Sequence, residues 1–256
     1  MMIGDAVVRP SAARAAVAKT GTTLEIAGLY AANDEGRDAV NGFDLKVKAG
    51  EIVGVAGVSG NGQSELVEAL SGQRPIKLGQ VLIHDKNFEP TRHHFDKFKI
   101  FGLSEEPLKN ATVPTMSVAE NIAFRRFDKA PIASLGFWRP MLDKARDLIE
   151  RYNVKKPSTE TPIRHLSGGN VQRAVLAREL SEDVDVLIVA NPCFGLDFAS
   201  VADIRAQIME QSNGGAVVLL VSEDLDEVLE LSDRIAVMSG GIPRGRPLIA
   251  RRSGGI

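Results

Sequence analysis

The feature that most constrains the fold is a strand that runs straight into a glycine-rich turn and then a helix. Glu51-Ile52-Val53-Gly54-Val55-Ala56 is apolar from its second residue onward. Such a run has no face to offer water, so it belongs inside a parallel sheet covered on both sides. Gly57-Val58-Ser59-Gly60-Asn61-Gly62-Gln63-Ser64 follows at once. Gln63–Leu70 then reads as a helix with Leu66, Val67 and Leu70 on one face. The octapeptide matches the pattern G-x-x-x-x-G-K-[ST] at every fixed position but one, where Gln63 replaces lysine. Glycines let a backbone wrap closely around a phosphate, while successive N–H groups, from Val58 to Glu65, and the helix start supply positive potential. The Ser64 hydroxyl can reach a Mg²⁺ ion. A strand-to-helix turn that needs glycine for its own geometry would give the same string. Gln63 can donate a neutral hydrogen bond but not the charge-assisted one, worth roughly 1.5–3 kcal/mol. Binding can survive that loss; catalysis is not expected to.

Strand patterns recur around this centre. Thr22–Ala27 and Phe43–Val47 alternate in polarity, and Gln80–His84 is a further short strand. Val184–Val189, Val217–Val221 and Ile235–Met238 alternate with helices, which argues for a mostly parallel sheet. Between them the chain turns helical from about residue 105. Ser117 precedes Glu120 by three, a capping box, and Met141, Leu142, Ala145, Leu148, Ile149 and Tyr152 recur at helical spacing. The expected organisation is a linker over 1–21, an α/β domain over 22–240 with a helical insertion at about 105–180, and an irregular Gly/Pro/Arg tail over 241–256.

With 31 basic against 33 acidic residues, no global field invites nucleic acid. The single Cys193 excludes an internal disulfide framework. No apolar run approaches the ~20 residues of a membrane-spanning helix, and the N-terminus lacks the apolar centre of a signal peptide. The expected setting is the cytosol.

Leu166-Ser167-Gly168-Gly169-Asn170, continuing through Val171-Gln172-Arg173, stands directly before a second helix whose Ala174, Val175, Ala177 and Leu180 face inward. It makes another helix start bare enough to approach an anion. A capped helix start explains the string alone equally well. Its place, about 100 residues after the phosphate loop and just before a buried strand, is what resembles the ABC (ATP-binding cassette) ATPase family. The resemblance implies that fold: a mostly parallel core sheet, an antiparallel β subdomain and an inserted helical subdomain. It implies ATP and Mg²⁺ as ligands, and a signature (Leu166–Asn170 and Gln172) that closes over the nucleotide held by a partner's phosphate loop. By the same resemblance Tyr30 is placed to stack on adenine, with strand-end packing as the alternative. Glu105 takes the Q-loop glutamine's place, Thr115–Asn121 follows that loop, Asp197 belongs to the D-loop, and Ser222 holds the switch-histidine position.

GVSGNGQSELVEALSG, LSGGNVQRAVLAREL and VSEDLDEVLELSDRIAVM are more narrowly similar to the second ATPase half of importers for simple sugars and nucleosides. The opening MMIGDAV resembles the last residues of a preceding half. Implied partners are that other half, the transmembrane permease subunits and, indirectly, a substrate-binding protein.

The departures from the family pattern fall on one side. An Asp that holds Mg²⁺, a Glu that orients water and a His that senses the γ-phosphate are replaced by Ala190, Asn191 and Ser222, beside Gln63 for lysine. All four serve the nucleotide on this chain's own loop. A general base alone contributes about 10²–10⁴-fold, and phosphoryl transfer needs charge neutralised by metal and lysine. The groups serving the opposite site look intact. Two other readings stay open: a soluble ABC protein of DNA repair or translation, and a regulatory nucleotide sensor. The former usually carries coiled-coil or basic insertions, which this sequence lacks. His93 and His94 read as solvated surface, His165 as a residue without ligand partners, and Cys193 as an inert thiol. Phe137 and Trp138 belong either inside the helical insertion or against a membrane subunit.

Overall fold

The two-faced apolar strands serve two different cores, one on each side of a single sheet. A computed structural model describes residues 21, 23–125, 138–156 and 158–249, with backbone alone at 138, 139 and 244–249. β3 (Ile52–Ala56) is buried throughout. It pairs in parallel with β8 (Val217–Ser222) and with β9 (Arg234–Ser239). β8 continues in parallel to β7 (Val186–Ala190), and β7 to β6 (Ile100–Leu103). β10 (Ile242–Ile249) closes the far edge antiparallel to β9, for the order β10-β9-β3-β8-β7-β6. Val53, Val55, Val186, Ile188, Val217 and Leu219 face one core, while Ile52, Leu187, Val189, Val218 and Leu220 face the other. That split is the strand period of two.

The first core is shared with an antiparallel sheet, β2-β1-β4-β5, built from β1 (Thr23–Ala32), β2 (Asp38–Lys48), β4 (Leu78–Ile83) and β5 (Lys86–Phe88). Between the sheets lies α1 (Gln63–Leu70), burying Leu66, Ala69 and Leu70. The second core takes Val175 and Leu176 from α6 (Gly168–Glu179), Ile204 and Ile208 from α7 (Phe198–Asn213), and Leu231 from α8 (Leu225–Leu231). A third core is helical. α4 (Val118–Ala123) and α5 (Trp138–Arg151) pack on Val171, Ala174 and Ala177, the other face of α6. Each fully buried Leu or Ile in these cores contributes about 1.5–3 kcal/mol. α6 therefore belongs to the sheet and to the helical lobe at once, so its N-terminus is held from both sides.

The capping box forms: Glu120 N donates to Ser117 Oγ at 3.2 Å and Ser117 N to the Glu120 carboxylate at 2.8 Å. One expectation is corrected, one strand was not expected at all, and one runs longer than expected. Residues 242–249 of the expected irregular tail are a strand, because Gly240 and Gly241 take φ of +61° and +77° and make the tight turn a hairpin needs. Pro243, which lacks an N–H, sits on an edge strand, where it is tolerated. β6 had no expectation, since its four residues IFGL are interrupted by Gly102. The strand expected to end at Ala27 runs on to Ala32 as β1, through register shifts after Ile26, where Gly28 takes a φ of +56°. The proposed linker lies outside the described residues apart from Gly21, as do Thr22, Phe137, the Trp138 side chain and residues 250–256. No helix among the described residues is long and apolar enough to cross a membrane.

Candidate functional site

The first helix N–H groups have no partner within a helix and need one from outside. Thr91, Ser117, Asp197 and Asp224 supply it by side chain at the starts of α2 (Arg92–Lys97), α4, α7 and α8. α1, α6 and the single-turn α3 (Pro107–Asn110) receive no such side-chain bond. Of these, α1 and α6 are the two starts that the sequence marks for anions. Gly62, with φ of +98°, precedes α1 and has no side chain to offer. At α6 the hydroxyl of Ser167 is turned aside, accepting from Asn170 Nδ2 at 2.8 Å.

Around α1, Val58, Ser59, Gly60 and Ser64 are exposed. Asn61 is committed to the protein: its Nδ2 donates to Val58 O at 2.8 Å and its Oδ1 accepts from Gly240 N at 2.8 Å. The β9–β10 turn thus braces the phosphate loop, a role nothing in the sequence of the tail announced. Gln63 is only 5% exposed, and neither its amide oxygen nor its nitrogen has a hydrogen-bond partner. It lies folded under the loop, and a Cβ on Gly57 would stand 2.6 Å from its Nε2 and 2.7 Å from the Met238 backbone carbonyl, so only glycine fits there. Ser64, Glu105 and Ala190 line one cleft of about 320 Å³ that also reaches Arg125, Arg178 and Glu179.

Asn191 and Ser222 are each committed to hydrogen bonds within the domain. Asn191 follows β7 with φ of +39°, a left-handed conformation that Asn tolerates better than most residues. Its Nδ2 donates to Glu105 Oε2 at 2.8 Å, and its Oδ1 accepts from Glu223 N at 2.8 Å. Ser222 is buried; its hydroxyl donates to Glu227 Oε2 at 2.8 Å and accepts from Asp224 N at 3.1 Å. Buried Glu227 also lies 3.8 Å from Arg205. Burial, reinforced by this carboxylate, pushes the Cys193 thiol far up and keeps it from ionising.

The residues of the signature separate. Ser167 and Gly168 are exposed. Leu166 packs on the helical lobe, and Gly169 is buried against Ser200. Asn170 Oδ1 accepts from Lys155 N at 2.8 Å. Gln172 corrects its expectation: it is 2% exposed and donates to Pro192 O at 3.3 Å, so it faces its own domain. Asp197 caps α7, accepting from Ser200 N at 3.0 Å and Ser200 Oγ at 2.6 Å, and these bonds hold its carboxyl below the ordinary range. Tyr30 is half-buried with its ring over Gly42 of β2, a packing contact within the antiparallel sheet. His94 Nδ1 accepts from Glu89 N at 2.9 Å, and His165 is exposed next to Arg164. Among the described residues no three His, Cys, Asp or Glu are grouped to hold a metal ion.

Comparisons with known proteins agree with this arrangement. The family model described as ABC transporter matches residues 40–193. The chain is 39% identical over 221 residues to the guanosine import ATP-binding protein NupO of Bacillus subtilis, covering 85% of this chain and 43% of that protein. It is 37% identical over 235 residues to the nucleoside import ATP-binding protein NupA of Lactococcus lactis, covering 91% and 46%. The chain thus spans a little under half the length of these relatives. Among solved structures, a nucleotide-free ATP-binding cassette from an ABC transporter superposes with a TM-score of 0.73 at 20% identity, over 90% of this chain and 92% of that one. A dimeric bacterial ABC transporter cassette gives 0.74 at 20% identity, over 89% and 99%. The two bare helix starts, the split cores and the family match lead to one assignment: the chain belongs to the ABC transporter family.

Proposed function

We propose that this chain is a nucleotide-binding domain of an importer for a simple sugar or nucleoside, that its own site holds nucleotide without turning it over, and that its signature helix completes the site of a second ATPase half. The observation carrying this reading is the pair of uncapped helix starts with opposite surroundings. At α1 the neighbouring side chains lack the charges phosphoryl transfer needs. At α6 the exposed Ser167 and Gly168 need only backbone to meet an anion.

The residues present fit a nucleotide's phosphates through backbone rather than side chains. Exposed loop N–H groups and the α1 start attract anions, and the exposed Ser64 hydroxyl is free to meet Mg²⁺. Bound Mg²⁺ would supply charge neutralisation. Gln63 is buried beneath the loop and brings no charge, while Ala190 brings no ligand. Ser222 is tied inward to Glu227, so it is not placed to sense a terminal phosphate. Binding at this loop is therefore expected to be weak or static. The likeness to guanosine and nucleoside import ATP-binding proteins supports the transport class, and the family's construction supports permease subunits and a substrate-binding protein as partners. The place of action is then the cytoplasmic face of the membrane.

Steady-state hydrolysis tests the reading. The purified chain alone is expected to release no phosphate above background. Added to a second ATPase half with intact lysine and glutamate, it is expected to raise that half's turnover. Hydrolysis by this chain alone at the rate of a whole transporter refutes the proposal, as does a partner whose rate does not respond.

A further inference from the structure

Three segments that face the terminal phosphate in the family meet one side chain here. Glu105 lies just beyond β6, where the chain leaves the sheet for the helical lobe. Glu223 lies just after β8, ahead of α8. Asn191 follows β7 between them and bonds both, donating from Nδ2 to the Glu105 carboxylate and accepting at Oδ1 from the Glu223 amide, each at 2.8 Å. Its own N–H donates to Val221 O at 2.9 Å, which fixes the base of the bridge to the sheet. Neither amide group of Asn191 is left over. The far side of the switch segment is pinned as well, by the Ser222–Glu227 bond.

The geometry points to Asn191 as a positioning residue: a strut that holds the Q-loop segment and the switch segment in one fixed relation, with or without nucleotide on this chain's phosphate loop. A carboxylate at this place could not do the same. It has no N–H to give, and it would set a second negative charge against Glu105. The amide gives one bond in each direction because it is a donor and an acceptor at once. The replacement that removes a water-orienting group thus installs a mechanical one. The helical lobe, and with it the start of α6, is then presented to a partner in a constant orientation. This inference rests on the assignment of the substituted positions in the proposed function, but its test does not depend on turnover.

Amide hydrogen exchange on the whole chain reads the strut directly, over residues 104–112 and 222–226, with β3 as the internal control. Asn191→Gly removes the side chain while accepting the positive φ. It is expected to speed exchange in both segments about tenfold, the effect of losing ordinary hydrogen bonds, with β3 unchanged. Glu105→Ala cuts one arm and is expected to free 104–112 alone, whereas Glu105→Gln keeps an acceptor and is expected to stay within about twofold of the parent. ATP with Mg²⁺ added to the parent chain is expected to leave both segments within about twofold. The inference is overturned if Asn191→Gly leaves either segment unchanged, if Glu105→Ala releases both, or if nucleotide slows both about tenfold. Failure of ATP to slow exchange even in 57–65 strikes the binding reading instead, and the variants still decide the strut.

Discussion

The starts of α1 and α6 are alike in backbone and opposite in company. Both lack a side-chain cap. Beside α1, Gln63 is buried with its amide unpaired, Asn191 is spent on Glu105 and Glu223, and Ser222 on Glu227. Beside α6, Ser167 and Gly168 stand open, and the helix behind them is wedged between the sheet core and the helical lobe. The positive end of a helix is made by aligned peptide groups and survives any substitution that spares the helix. Catalysis of phosphoryl transfer needs particular charged side chains, and a few substitutions remove it. A domain can therefore lose its own chemistry and keep the part it lends to a neighbour. The difference between the two ends also says where to intervene.

The largest effect is expected at the open end. Ser167→Arg sets a bulky cation where an anion must approach. Transport by the assembled complex is expected to fall on the order of a hundredfold or more, the size seen when a preorganised donor is removed from a catalytic site. Nucleotide binding by this chain's own loop is expected to stay within about twofold. Unchanged transport breaks the comparison, because α6 would then not reach a partner's nucleotide.

Next comes the footing of that end. A Cβ on Gly169 would stand 2.5 Å from Ser200 Oγ and 3.4 Å from the Asp197 carboxylate. Gly169→Ala must displace the short Ser200 side chain from its bond to Asp197, and overpacking of this kind costs about 1–3 kcal/mol. The melting temperature is expected to fall by roughly 2–4 °C for each of those kcal/mol. Gly60→Ala, on the α1 side, has open space around its Cβ and a φ of +83°, so it pays only for conformation, about 1 kcal/mol. A smaller loss at Gly169 than at Gly60 would mean that α6 is not seated as the structure has it.

Restoring the missing charge sharpens the other side. Gln63→Lys replaces a neutral amide with a charge-assisted donor and is expected to tighten nucleotide binding about tenfold. Calorimetric titration measures it. Turnover is expected to stay absent, since Ala190, Asn191 and Ser222 remain. Hydrolysis by this single variant would show that the lysine alone had been limiting.

What the sequence made legible follows from how local each signal is. β3, the glycine turn, α1 and the Ser117–Glu120 box are contiguous patterns, and the structure has them where the sequence puts them. β10 escaped because its residues are held by pairing with β9 rather than by their own alternation, and Pro243 argued against a strand. Gln172 was misassigned because one position on a helix decides whether a side chain looks outward or, as here, toward Pro192. The sequence motif let Asn191 be read as standing in a carboxylate's place, but its bonds to residues 86 and 32 positions away exist only in the fold. The same holds for Asn61, whose partner Gly240 is 179 positions distant.

The smallest expected effect concerns Asp197, which lies next to the open end and answers to pH. Hydrogen bonds from the Ser200 hydroxyl and amide favour its charged form, with Arg173 adding to them, so its folded-state value lies below the ordinary 3.8. A carboxyl depressed on folding stabilises the protein above its unfolded value, and that contribution fades as pH falls through the lower folded one. Asp197 is solvent-exposed, so water and salt screen the charge and the contribution stays small. Asp197→Asn keeps a capping oxygen but cannot titrate. Melting temperatures followed from pH 6 down to pH 2.5 are expected to show a shallower acid decline below about pH 4 for the variant, and parallel curves above it. If the parent and variant curves stay parallel through the acid range, the Ser200 bonds do not hold Asp197 at the foot of α6, and the firmness credited to that end must come from the two cores alone.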